Sequence, residues 1–194
     1  MSTGRLEAFS DGVIAIAVTL LVLDIRVPAP GAGSLGHALL HQWPNYAAYV
    51  VSFLTIGVIW VNHHAAFARV RQVDHTLLIL NLLLLLTVGL LPFTTSLMAE
   101  YLREDRGQHL AAAIYSGSFL LLGSTFFALH RYVLADRRSL LADHVDAAAR
   151  RTIARRNFAG LVPYAAAVAL APLSAYASLA ICAAVALYYA RPGG

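Results

Sequence analysis

The chain has 194 residues, 59% of them hydrophobic and only 12% charged, and its mean hydropathy is +0.68. A soluble domain of this composition lacks the polar surface to cover itself, so the class expected is an all-α integral membrane protein. The formal charge of +4 comes entirely from arginines, and the single cysteine, Cys182, excludes a disulfide framework or a cysteine metal site.

The first predicted element, residues 6–27, follows directly on Arg5, carries Glu7, Ser10 and Asp11 in its first turns and then stays apolar, Thr19 excepted, until Asp24. A signal peptide keeps its charges outside the apolar run and ends in a small-residue cleavage site, so this segment is expected to be retained. At 100° per residue Ile16, Leu20 and Leu23 form one stripe, extended by Phe9 and Val13. Ile14, Val18, Leu21 and Ile25 lie roughly opposite, and Ala8, Gly12, Ala15 and Thr19 form a stripe of small side chains suited to close helix contact. Two readings fit the large aliphatic stripe. It packs against other helices, as such residues usually do, or symmetry-related copies surround an axis and close a pore by dewetting.

Further spans are predicted at 46–67, 77–98 and 110–129. An outer loop with Pro28, Pro30, Gly31 and Gly33 precedes the second. The final apolar stretch is too long for one crossing and is divided at Pro172 into 158–172 and 174–190, giving six spans. With a cytoplasmic amino terminus, the inner segments hold most arginines and only Arg26, Arg103 and Arg106 remain outside; both termini are then cytoplasmic in a multi-pass cell-membrane protein. Residues 131–157 read as a cytoplasmic helical linker resting on anionic headgroups. Asp136, Asp143 and Asp146 weaken a nucleic-acid reading, and none is expected as a partner. The whole chain is expected to form one six-helix domain.

The second span ends in "WVNHHAAF", Trp60 to Phe67. Ionisable groups within a membrane need partners at their own depth, so Arg5 and Asp11 are expected to pair near Trp60 and Asn62, with His63 or His64 as the partner of Asp11. Adjacent histidines on a helix diverge by about 100°, and no further ligand cluster accompanies them, so no metal is expected. "TVGLLP", Thr87 to Pro92, begins like a potassium-channel filter but lacks its Tyr-Gly half and sits in a long apolar run, which makes it a helix segment.

The segment "RLEAFSDGVIAIAVTLLVLDI", the later "WVNHH" and the "LLPF" ending of the third span resemble the prokaryotic branch of the transmembrane protein 175 family, relatives of the endosomal and lysosomal potassium channel. Arg5, Phe9, Ser10 and Asp11 match the Arg-x-x-x-Phe-Ser-Asp pattern. The resemblance implies a homotetramer with the first helices around a central pore, constricted by Ile16, Leu20 and Leu23. It implies that Thr19 bears on potassium preference, and that Arg5, Ser10, Asp11, Trp60, Asn62, His63 and His64 form a structural polar network. The function it implies is passive conduction of potassium with modest preference over sodium, without enzymatic activity or cofactor. Asp24 is either an attractor at the outer mouth or an interfacial residue beside Arg26. The alternative from another class is an ion- or proton-coupled secondary transporter, which the position of Asp11 near one interface disfavours.

Overall fold

In the computed structural model, which describes residues 2–30, 34–134 and 147–191, the chain is all-helical apart from turns and one isolated bridge residue. The helices are α1 (Thr3–Leu20), α2 (Leu35–His41), α3 (Trp43–Phe67), α4 (His75–Tyr101), α5 (Gln108–Leu134), α6 (Ala147–Ala159), α7 (Leu161–Leu170) and α8 (Ala175–Tyr189), and a 3-10 turn, Leu21–Asp24, continues α1. Four of them, counting α1 with its 3-10 turn, are long and apolar enough to cross a membrane: Thr3–Asp24, Trp43–Phe67, His75–Tyr101 and Gln108–Leu134. At 1.5 Å per residue α4 is about 40 Å long, whereas α7 and α8 reach only about 15 and 22 Å, short of a hydrocarbon core of roughly 30 Å.

The helix ends follow local chemistry. Asp74 caps α4 by accepting the Leu77 N–H at 2.8 Å, and Ser174 caps α8 by accepting from Ala177 at 3.2 Å. The turn between α4 and α5 needs Gly107, whose φ is +94° and where a Cβ would lie 2.7 Å from the Tyr101 ring. α7 and α8 are separated by the turn holding Pro172, Leu173 and Ser174. The expectation of a helix beginning at 158 is corrected. α6 runs to Ala159, and Gly160 stands between it and α7 with helical backbone angles, at a place where a Cβ would lie 2.8 Å from the Tyr189 hydroxyl. The predicted outer loop also contains α2, a short helix whose Leu35 and Leu40 are exposed. Within the predicted linker, residues 135–146, including Asp136, Asp143 and Asp146, lie outside the described residues.

α4 and α5 pack most extensively on each other, and α1, α3, α7 and α8 gather around them. Leu84, Val88, Leu91, Tyr115, Phe119 and Leu122 are buried between them. Lipid tails are as apolar as leucine, so hydrophobic contrast gives little force between such helices, and polar side chains supply part of the cohesion. Ser52 on α3 bonds Thr95 on α4 at 2.8 Å and Tyr115 on α5 at 3.0 Å, and Thr94 bonds Ser118 at 3.0 Å. The "TVG" of α4 is helical, with Thr87 donating to the Leu84 carbonyl at 2.7 Å, so its carbonyls do not form an exposed ring. Pro92 lies within the same helix.

Candidate pore-lining helix and its anchorage

The arrangement of α1 follows from which of its faces the rest of the chain covers. Leu6, Ser10, Ile14, Ala17 and Leu21 are buried against α3 and α4. On another face Ile16, Leu20 and Leu23 are 62%, 44% and 71% exposed, and Phe9 continues the strip towards the amino terminus. Large aliphatic side chains are thus left uncovered on a helix whose opposite side is fully packed. The small-residue stripe is also left exposed. Ala8, Gly12, Ala15 and Thr19 are exposed, and a Cβ on Gly12 would meet no atom within 4 Å. The Thr19 hydroxyl, beside the strip, donates to the Ile16 carbonyl at 2.9 Å.

The base of α1 is tied to two helices by polar contacts. Ser10 donates to the Leu6 carbonyl at 2.8 Å, so its oxygen accepts the Asn81 amide N–H at 2.9 Å. With its nitrogen directed there, Asn81 turns its oxygen to Nε2 of His63 at 2.8 Å, and that nitrogen must carry the proton. All three side chains are fully buried, and His63 stacks on Phe67 with ring centroids 4.2 Å apart. Nearer the surface, Trp60 Nε1 donates to Asp11 Oδ1 at 2.9 Å, and Nδ1 of His64 meets Oε1 of Glu7 at 2.7 Å.

Several expected pairings are corrected by these contacts. Asp11 is held by Trp60, not by a histidine: His63 points to α4 and His64 to Glu7, because neighbours on a helix diverge by about 100°. Asn62 donates to the Val58 carbonyl of its own helix at 2.8 Å and stands outside the network. Arg5 is exposed and has no ion pair among the described residues. The sequence reasoning missed Asn81, the residue that joins Ser10 to His63. The signal was present as a lone amide within "LLILNLLLLL", where an unpaired polar group would be costly.

At the other end of α1, Asn45 donates to the Asp24 carbonyl at 2.9 Å. Arg26 pairs with Glu100 instead of Asp24, and its backbone N–H donates to Gln42 at 3.2 Å. Both ends of α1 are therefore held by side chains of other elements, while its middle is held by apolar packing on one face alone. Trp60→Phe keeps the ring and removes the N–H that holds Asp11. It is expected to cost about 1 kcal/mol, read as a lower thermal midpoint of the purified protein.

The pattern that defines the family described as the endosomal/lysosomal potassium channel TMEM175 matches residues 5–92, which hold α1 from Arg5 onward and the residues that anchor its base. A potassium channel of Streptomyces collinus is 52% identical over 188 residues, covering 96% of this chain and 91% of that one. A potassium channel of Chamaesiphon minutus is 42% identical over 192 residues, covering 97% and 93%. The crystal structure of a lysosomal potassium-selective channel TMEM175 homolog from Chamaesiphon minutus superposes with a TM-score of 0.85 at 40% identity, over 97% of this chain and 96% of that one. The human endosomal/lysosomal proton channel TMEM175 is 39% identical over 135 residues, 65% of this chain and 27% of the human protein. Similarity of this degree along nearly the whole chain places it in the TMEM175 family.

Proposed function

We propose that this chain is one subunit of a homotetrameric cation channel in the cell membrane, conducting potassium with a modest preference over sodium. The relatives named as potassium channels, similar over almost their full length, support the activity. The observation that carries the mechanism is the uncovered strip of Ile16, Leu20 and Leu23 on a helix whose opposite side is buried. Four copies of α1 around an axis bring these side chains into three aliphatic rings, and such rings close a path to ions by excluding water.

In this reading α7 and α8 complete six crossings, and both termini face the arginine-rich cytoplasmic side. A hydrated potassium ion passes Asp24 near the outer mouth, sheds part of its hydration at the rings, and crosses when α1 bends or rotates. Thr19, whose hydroxyl hydrogen is engaged by the Ile16 carbonyl, presents its oxygen beside the rings and favours potassium. Selectivity stays modest because a single hydroxyl per subunit replaces less of the hydration shell than a cage of backbone carbonyls does.

Planar bilayer recording of the purified protein under opposed potassium and sodium gradients tests this. Unitary currents reversing on the potassium side of zero are expected. Reversal at zero overturns the preference. Saturable, gradient-driven flux without unitary events overturns the channel in favour of a coupled carrier.

A further inference from the structure

The short helix α2 carries two histidines, His37 and His41. Residues four apart share a helix face, unlike the adjacent His63 and His64, and the two rings stand with their centroids 6.3 Å apart. Both residues are exposed, and neither ring makes a hydrogen bond or ion pair among the described residues. Leu35 and Leu39, 62% and 40% exposed, lie on roughly the opposite side of α2. One residue separates α2 from α3, a helix long and apolar enough to cross a membrane. At that boundary the leucines meet acyl chains and the two imidazoles are turned to water.

We propose that His37 and His41 form a chelating site for a divalent transition-metal ion of the copper or zinc class. Imidazole nitrogen suits these ions, whereas magnesium and calcium take oxygen ligands. Two imidazoles on one ion, each nitrogen about 2.0–2.1 Å from the metal, bring their ring centroids to about 5 Å. The 6.3 Å separation closes to that by side-chain rotation, which exposed rings without hydrogen-bond partners make at little cost. No third His, Cys, Asp or Glu gathers with them among the described residues, so water completes the coordination. Arg103 reaches the same end of α2 but donates to the His41 backbone carbonyl, at 3.1 Å, and leaves the ring nitrogens unengaged.

A short helix gains from such a link. Leu35–His41 is 7 residues long and holds few internal hydrogen bonds, and an ion bridging positions one turn apart fixes that turn. Gln42, the next residue, accepts the Arg26 N–H at 3.2 Å, so the site stands one residue from a contact that holds the far end of α1. An effect of the metal on conduction rests on the pore reading; the binding does not.

The test titrates copper(II) into the tag-free, full-length protein in detergent and reads binding, so it is independent of whether the protein conducts. Calorimetry is expected to show a tight site of one copper per chain, with a two-nitrogen signature by electron paramagnetic resonance. His37→Gln and His41→Gln should each weaken it at least about tenfold, since the second imidazole binds at high effective concentration once the first is engaged. The double variant should bind no tighter than either single one. Gly36→His combined with His37→Gln keeps two histidines but moves one ring off the shared face, and it should bind like the single variants. The remaining histidines are the same in every variant, so the differences read this pair alone. Single variants that match wild type overturn the site, as does a wild-type protein with no tight copper or with one nitrogen on the metal. Wild-type affinity in the shifted variant overturns the helical pairing.

Discussion

Replacing Ile16 with Asn is expected to raise basal potassium flux into liposomes by about tenfold or more, which requires only ~1.4 kcal/mol off the barrier. Ile16 is 62% exposed on the chain and makes no part of its core, so the change adds an amide to the strip without opening a cavity in the protomer. In the proposed ring of four, each amide gives water a hydrogen-bond partner where the aliphatic side chain gave none, and the proposed dewetted constriction fills. Ala17, the next residue, is buried, and Asn there lands in the packed face. Ala17→Asn should therefore lower expression or stability, whereas Ile16→Asn should leave the elution profile unchanged while the leak rises. Unaltered flux in a correctly assembled Ile16 variant removes this residue from the gate. A leak that is equally high in Ile14→Asn, on the buried face, shows that the effect is loss of packing.

The division between what was legible in the sequence and what was not follows the range of the forces involved. The four long helices are written in runs of apolar residues that exceed a bilayer's thickness, and the strip of Ile16, Leu20 and Leu23 is written in a period of 3.6. Both are local. The partners of Asp11 and His63 are not local, since they depend on how α1, α3 and α4 are rotated about their own axes. A shift of one position on α3 exchanges Trp60 for a neighbour, so the sequence could place these residues at one depth without choosing among them. Proximity in the chain does not choose the partner of Arg26 either: it lies two residues from Asp24 but reaches Glu100 on α4. The lack of room for a side chain at Gly160 was hidden because the close contact, the Tyr189 hydroxyl, comes from α8. Asn81 shows the reverse case, in which a local signal was available and its meaning was set by distant residues.

Asn81→Leu is expected to destabilise the protein by about 2 kcal/mol or somewhat more, since each buried polar group left without its partner costs roughly 1–3 kcal/mol. The side chains are similar in size, so the loss is one of hydrogen bonds and not of volume. Ser10 loses a donor but keeps its own bond to the Leu6 carbonyl, which makes its share small. His63 carries the larger share. Among the described residues its Nδ1 has no partner already, and Nε2–H would lose the only one it has. That asymmetry gives the prediction a sharper form. His63→Phe in the Asn81→Leu background removes the orphaned ring nitrogens and leaves an aromatic ring able to stack on Phe67, so the double variant should recover much of the lost thermal stability. Ser10→Ala in the same background should recover little. If the two single losses from Asn81 and His63 simply add in the double variant, the residues are energetically independent and the contact between them does not anchor α1. If they couple, the link from α1 through Asn81 to α3 is a shared unit. Changes at Asn81, buried and remote from the exposed strip, should then alter how readily α1 moves as well as how stably the subunit folds.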